Sequence, residues 1–152
     1  MGKGGYSMKF ILHIDKEQEE TVVATVHQAS ALTEQIEALV LAHTSTDRII
    51  AYREDELRTL PFSQIACITV IDGKTVAIDK DGKQYRLKYR LYELEAMLPS
   101  YFIRINKSSF ANEKQIQSFC AAFSGAVDAV FRCGYREYVS RRCYAAIKRR
   151  YR

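Results

Sequence analysis

Four dipeptides, Asp72-Gly73, Asp81-Gly82, Ser124-Gly125 and Cys133-Gly134, punctuate the second half of this chain and confine it to short strands joined by tight turns. The segments between them are β-branched and aromatic. Ile65–Ile71 runs apolar with one Thr inside it, as a strand covered on both faces does, and Lys74–Lys80 alternates with Val76 and Ile78 inward. Two hairpins are expected, 65–79 into 83–88 and 126–132 into 135–139. Between them, Leu91, Leu94 and Leu98 share one face of a short helix that stops at Pro99. Tyr101–Asn106 reads as a strand with Ile103 and Ile105 on one face and Arg104 and Asn106 on the other. From about Arg141 the chain turns helical with Ser140 as its N-cap; Tyr144, Ile147 and Tyr151 form the apolar stripe, and Arg142 and Arg149 project from the far side.

The first half is organised differently. Lys9–Asp15 alternates as a strand, Thr21–His27 is a β-branched run, and Leu32, Ile36, Leu39 and Val40 predict a helix capped by Ser30 or Thr33. A further strand, Arg48–Arg53, leads into Leu57–Leu60. The expectation is a small α+β unit over 8–55, regulatory or dimerising, ahead of a larger β unit over 56–152, with Pro61 near the boundary. MGKGGYS reads as an added leader before a natural Met8, so residues 1–7 are left out of the fold. A length of 152 residues suits one ordinary domain, or one with a small appendage, and a hydrophobic content of 47% supports a real core. Apolar runs stay far below the roughly 18 residues of a spanning helix, so a soluble, cytoplasmic protein is expected.

Charge divides the chain the same way. Residues 1–55 carry a net −4 and residues 56–152 a net +9, while 132–152 alone hold eight Lys/Arg against the single acid Glu137. So dense a positive field repels itself in water, and a polyanion with releasable counterions relieves it. DNA or RNA is the first candidate partner.

Catalytic patterns are missing. His13, His27 and His43 show no H-x-x-x-H or H-E-x-x-H spacing, and the sequence has no phosphate-cradling glycine loop and no G-x-S-x-G elbow. Asp79-Lys80-Asp81-Gly82 starts like a calcium loop, but Arg90 stands where a bidentate Glu is required, so it reads as a turn. Cys67, Cys120, Cys133 and Cys143 form no C-x-x-C pair and read as small buried hydrophobes in a reducing compartment. Neither a metal nor a cofactor is expected, and the chain is not read as an enzyme.

Three stretches, Leu57–Ile71, then KYRLYELEAMLPSYFIRINKSSFAN over 88–112, then the closing YREYVSRRCYAAIKRRY, resemble a LytTR-type DNA-binding domain of bacterial transcription regulators. The most specific marks are the helix ending in Leu-Pro, the strand from Phe102 to Asn112, and Val139-Ser140-Arg141-Arg142. The resemblance implies a mainly β, elongated antiparallel fold with two short helices that presses loops, rather than a recognition helix, into successive major grooves. It further implies dimers on repeated half-sites, a stand-alone regulator without a phosphoreceiver domain, and control of the amino-terminal unit by a membrane protein. The contact positions it implies are Gly73-Lys74, Asn106-Lys107-Ser108 and Ser140-Arg141-Arg142. Many members have His where this chain has Asn106, so base preference does not carry over.

Side-chain chemistry gives these positions different duties. Arg142 can grip guanine O6 and N7 with two parallel hydrogen bonds, and Asn106 matches adenine N6 and N7. Lys74, Lys107, Lys148 and Arg149 suit phosphates, and Ser108 or Ser140 could add phosphate contacts, Ser140 from a helix start. Two alternatives come from other classes. One is an RNA-binding β module stacking bases on Tyr85, Tyr89, Tyr101 and Tyr135. The other is a protein-interaction module whose basic face docks an acidic partner.

Overall fold

The computed structural model describes residues 7–43 and 47–151. The expected leader falls outside them apart from Ser7. The chain divides into two compact units, residues 1–44 and 45–152.

In the first unit, helix α1 (Ala31–His43) starts where Ser30 and Thr33 predicted. The Thr33 hydroxyl accepts from the Ser30 amide at 2.9 Å and donates to the Ser30 carbonyl at 2.8 Å, while the Glu34 amide donates to the Ser30 carbonyl. The expected strands Lys9–Asp15 and Thr21–His27 are not formed. Both segments are exposed throughout and have no assigned sheet partner, and alternation gives a strand only when a neighbour completes the ladder.

In the second unit the described residues form one seven-stranded and one three-stranded antiparallel sheet. The strands are β1 (Arg48–Arg53), β2 (Glu56–Pro61), β3 (Ile65–Ile71), β4 (Lys74–Asp79), β5 (Gln84–Arg86), β6 (Phe102–Asn106), β7 (Ser109–Asn112), β8 (Ile116–Ala121), β9 (Val127–Phe131) and β10 (Arg136–Val139). The large sheet runs β2-β1-β5-β4-β3-β7-β6, and the small one β10-β9-β8. Helix α2 (Leu91–Met97) lies between β5 and β6 in sequence, and α3 (Arg141–Arg150) ends the chain. Strand β1, read from sequence as part of the first unit, pairs with β2 along its length and with β5 at Tyr52 and Arg86, so it belongs to the larger sheet.

The continuous apolar run of β3 has a direct cause. Ile65 and Ile68 pack in a core with Phe62, Leu94 of α2, Phe102 and Phe110, whereas Ala66 and Cys67 face a second core with Ile105, Phe131, Val139 and Ile147 of α3. A register shift between Ile65 and Cys67 lets neighbouring positions feed the two layers. The central sheet is thus covered by α2 on one face and by the small sheet with α3 on the other. Each fully buried Ile, Leu or Phe contributes about 1.5–3 kcal/mol of transfer free energy.

Both expected hairpins are present, β3 into β4 and β5, and β9 into β10. The first turns through Asp72 and Gly73, both at positive φ (51° and 76°), a pairing that matches strand twist and that Gly adopts without strain. Asp79 accepts backbone bonds from Asp81 and Lys83 at 2.9 and 2.8 Å, which makes 79–82 a side-chain-braced turn. Of the cysteines, Cys67 is buried and Cys133 and Cys143 are half-buried, but Cys120 is exposed, because β8 is an edge strand with one face in water.

Candidate nucleic-acid interface

The register of the central strands brings two of the expected contact turns together. Ile68 stands opposite Phe110, and one step further Thr69 meets Ser109, their hydroxyls 2.7 Å apart and buried. The next steps carry β3 to Ile71 and the Asp72-Gly73 turn, and carry β7 back to Ser108 and Lys107. Lys74, exposed and paired with Ile71, therefore lies at the same end of the sheet as the Lys107-Ser108 turn joining β6 to β7.

The third element is tied to that end by its backbone. The Ser140 amide donates to the Ile105 carbonyl at 2.8 Å, which anchors the start of α3 beside the end of β6. The Ser140 hydroxyl accepts from the Cys143 amide at 3.2 Å, the capping role its position predicts. Arg141 and Arg142 follow in the first turn, exposed and without an ion pair among the described residues. Ile147 buries the opposite face of the helix, while Tyr151, expected on the same stripe, is 64% exposed because the helix ends at Arg150.

Asn106 holds a different place from Lys107 and Arg142. It is 8% exposed, and both ends of its amide are engaged: Nδ2 donates to the Tyr138 carbonyl at 2.7 Å, and Oδ1 accepts from the Ser108 amide at 2.8 Å. One side chain thus joins the β6–β7 turn to the strand that leads into α3. Arg104, which the sequence reading placed only on a strand face, completes the brace. Its Nε donates to the Asn106 carbonyl at 2.9 Å, its Nη2 donates to the Lys107 carbonyl, and its guanidinium lies 4.6 Å from the Phe110 ring centroid. A planar donor fork that closes two carbonyls of one turn fixes its shape. The alternation of FIRIN was the signal that Arg104 leaves the core, but not that it folds back on the turn.

Along α3, Lys148 sits 5.0 Å over the Tyr144 ring, Arg149 is exposed, and Arg150 pairs with Glu113 at 2.7 Å. Arg141 and Lys148 line a shallow cleft of about 230 Å³ with Gly125, Tyr138 and Tyr144. That is small for a cofactor or metabolite site, which typically takes about 300–1,000 Å³. Burial, reinforced by Glu137 and Cys133, pushes the Cys67 thiol well above its ordinary range. Burial and its hydrogen bond to Glu137 at 2.8 Å do the same to the Tyr135 phenol. No group of three or more His, Cys, Asp or Glu among the described residues is arranged to hold a metal ion.

Of the aromatic residues considered for base stacking, Tyr85 is buried, and Tyr89, Tyr101 and Tyr135 are half-buried and pack on the two cores. No helix among the described residues is long and apolar enough to cross a membrane.

Residues 55–152 match the LytTr DNA-binding domain family. Uncharacterized HTH-type transcriptional regulators of Staphylococcus aureus strains bovine RF122 / ET3-1 and MSSA476 are each 30% identical to this chain over 146 residues, covering 94% of it and 97% of the relative. The fold resembles that of a LytTr DNA-binding domain from Bacillus cereus, with a TM-score of 0.61 and 23% identity over 68% of this chain and 94% of that one. Within the matched segment α2 and α3 are separated by five strands, so the described residues there contain no helix-turn-helix pair.

Proposed function

We propose that this chain, which belongs to the LytTR family of DNA-binding domains, is a bacterial, cytoplasmic transcription regulator that reads repeated half-sites in duplex DNA as a homodimer. The observation that carries the reading is the gathering of the Gly73-Lys74 turn, the Lys107-Ser108 turn and the Ser140-Arg141-Arg142 helix start at one end of a braced sheet. Lys74, Lys107, Lys148 and Arg149 neutralise phosphates and set the register of protein on duplex. Arg142 reads guanine in the major groove, since a guanidinium alone supplies two parallel donors to O6 and N7. The Ser140 hydroxyl caps its own helix by taking the Cys143 amide, so the Arg141 and Arg142 amides, together with the Ser108 hydroxyl, are the groups offered to phosphate oxygens.

Asn106 enters this reading as a positioning residue, because its amide holds Tyr138 and Ser108. The mechanism is binding rather than chemistry. The small first unit carries the regulatory input, and a membrane protein is the partner proposed to control it.

The test is selection of bound duplexes from a random pool, followed by competition of the selected duplex against scrambled duplex and single-stranded RNA at fixed salt. A repeated motif that outcompetes both by about 10³-fold or more is expected. Equal competition by RNA, or no enriched motif, would overturn the reading.

A further inference from the structure

The first unit leaves an unusual surface uncovered. Phe10, Ile11, Leu12 and Ile14 are 87%, 70%, 70% and 86% exposed, and Val22 and Val23 are 65% and 83% exposed. Scattered apolar residues on a surface need no explanation, but so many in one short segment mark an interaction site. At about 100 Å² for each buried side chain of this size, the segment offers several hundred Å².

The backbone there is likewise unpaired within the protein. Among the described residues, 8–14 make no hydrogen bond, although Lys9–Asp15 has the alternation and the β-branched and aromatic content of a strand. A run of free N–H and C=O groups flanked by apolar side chains is a template for another strand.

The sequence of the segment indicates which strand. Laid antiparallel against a second copy about Leu12, KFILHID is self-complementary. Lys9 falls opposite Asp15 of the partner subunit at both ends, Phe10 falls opposite Ile14, Ile11 opposite His13, and Leu12 opposite itself. A two-fold interface demands this reciprocity, and opposed charges at both ends favour this register over its neighbours. A one-residue slip would lose both ion pairs.

We infer that residues 9–15 form an intermolecular antiparallel strand pair, centred on Leu12, that joins two copies of this chain. It deepens the dimeric reading above and rests on it for its role in regulation, whereas the pairing itself is measured without DNA. A regulator dimerised through a segment outside its DNA-binding unit can span two half-sites, and a partner that captures the same strand would separate the copies.

The test uses the full chain in sedimentation equilibrium without DNA. Lys9→Asp or Asp15→Lys alone should raise the dimer dissociation constant about tenfold or more, since each places like charges together twice per dimer. The doubly reversed Lys9→Asp/Asp15→Lys chain should return to within a few-fold of the starting value. Leu12→Cys should yield an oxidised covalent dimer, because residues directly opposite in an antiparallel pair lie about 4.5–5.5 Å apart at Cα, within disulfide reach. His13→Cys, facing Ile11, should give no more than the background from the native cysteines. A chain that stays monomeric, a dimer indifferent to both charge reversals, or equal cross-linking at positions 12 and 13 would overturn the inference. A monomer that still binds one half-site would defeat the strand pairing alone, and a dimer without affinity for any duplex would defeat the DNA reading alone.

Discussion

At the residue scale, burial separates two kinds of polar group at the proposed interface: those that face solvent and those that hold the turns. Arg142 is of the first kind, and Arg142→Ala should weaken binding to a selected duplex by about 1–3 kcal/mol while leaving scrambled duplex nearly untouched; equal losses on both would remove its base-reading role. Asn106 is of the second kind, with its amide spent on Tyr138 and Ser108. Asn106→Ala leaves the part-buried Tyr138 carbonyl and Ser108 amide without their side-chain partner and should cost about 1 kcal/mol of stability, weakening all duplexes alike. A loss confined to adenine-containing sites, with stability unchanged, would return Asn106 to direct reading. The sequence placed Asn106 on the outer face of its strand from alternation alone. Its burial depends on Tyr138, 32 residues away, and no local pattern carries that.

The thiol and phenol shifts also act residue by residue. Cys67 and Tyr135 are both raised above their ordinary ranges, chiefly by burial. In alkali the unfolded chain sheds protons that the folded chain keeps, so this stabilisation is complete below the ordinary thiol range, near pH 8.5, and is lost as pH rises. Denaturation midpoints should fall between about pH 8.5 and 11, and Tyr135→Phe should flatten the upper part of that fall. A midpoint constant across the range would contradict the burial assigned to both groups.

At the element scale, the start of α3 was readable because capping and helical periodicity are local. Ser140 stands one residue before a basic helix whose Ile147 is buried, and its hydroxyl binds the Cys143 amide. Ser140→Ala should cost about 1 kcal/mol and fray the turn that bears Arg141 and Arg142, lowering DNA affinity; Ser140→Asp should restore the cap but repel phosphate. Thermal melts with parallel binding curves separate the two effects. In the sequence β7 reads as one strand with β6, from Phe102 to Asn112, because the turn at Lys107 and Ser108 carries neither Gly nor Pro; β8 was not legible, because an edge strand with Gln117 and Ser118 in water turns only Ile116 and Phe119 toward the core. The opposite error befell Lys9–Asp15, whose alternation is real but which pairs with no strand among the described residues. Periodicity reports what a segment can bury, not whether a neighbour exists.

At the scale of the whole molecule, charge and topology cooperate. The net +9 of residues 56–152 was visible from composition, but its focus was not. Lys74 and Lys107 are 33 positions apart in sequence, and only the β4-β3-β7-β6 order sets their turns side by side. The buried Thr69–Ser109 hydroxyl pair and the Arg104 brace then hold that end rigid. Turns fixed in this way lose little backbone freedom on binding, which favours both affinity and register in the proposed complex.

The measurement that tests this convergence most directly is the salt dependence of binding to one selected duplex for Lys74→Ala, Lys107→Ala and the double variant. If both turns meet the same duplex, each substitution should lower the slope of log K against log salt by about 0.9 and the pair by about 1.8. A slope unmoved by either substitution, or a double variant no flatter than one single, would mean that the two turns do not share a duplex.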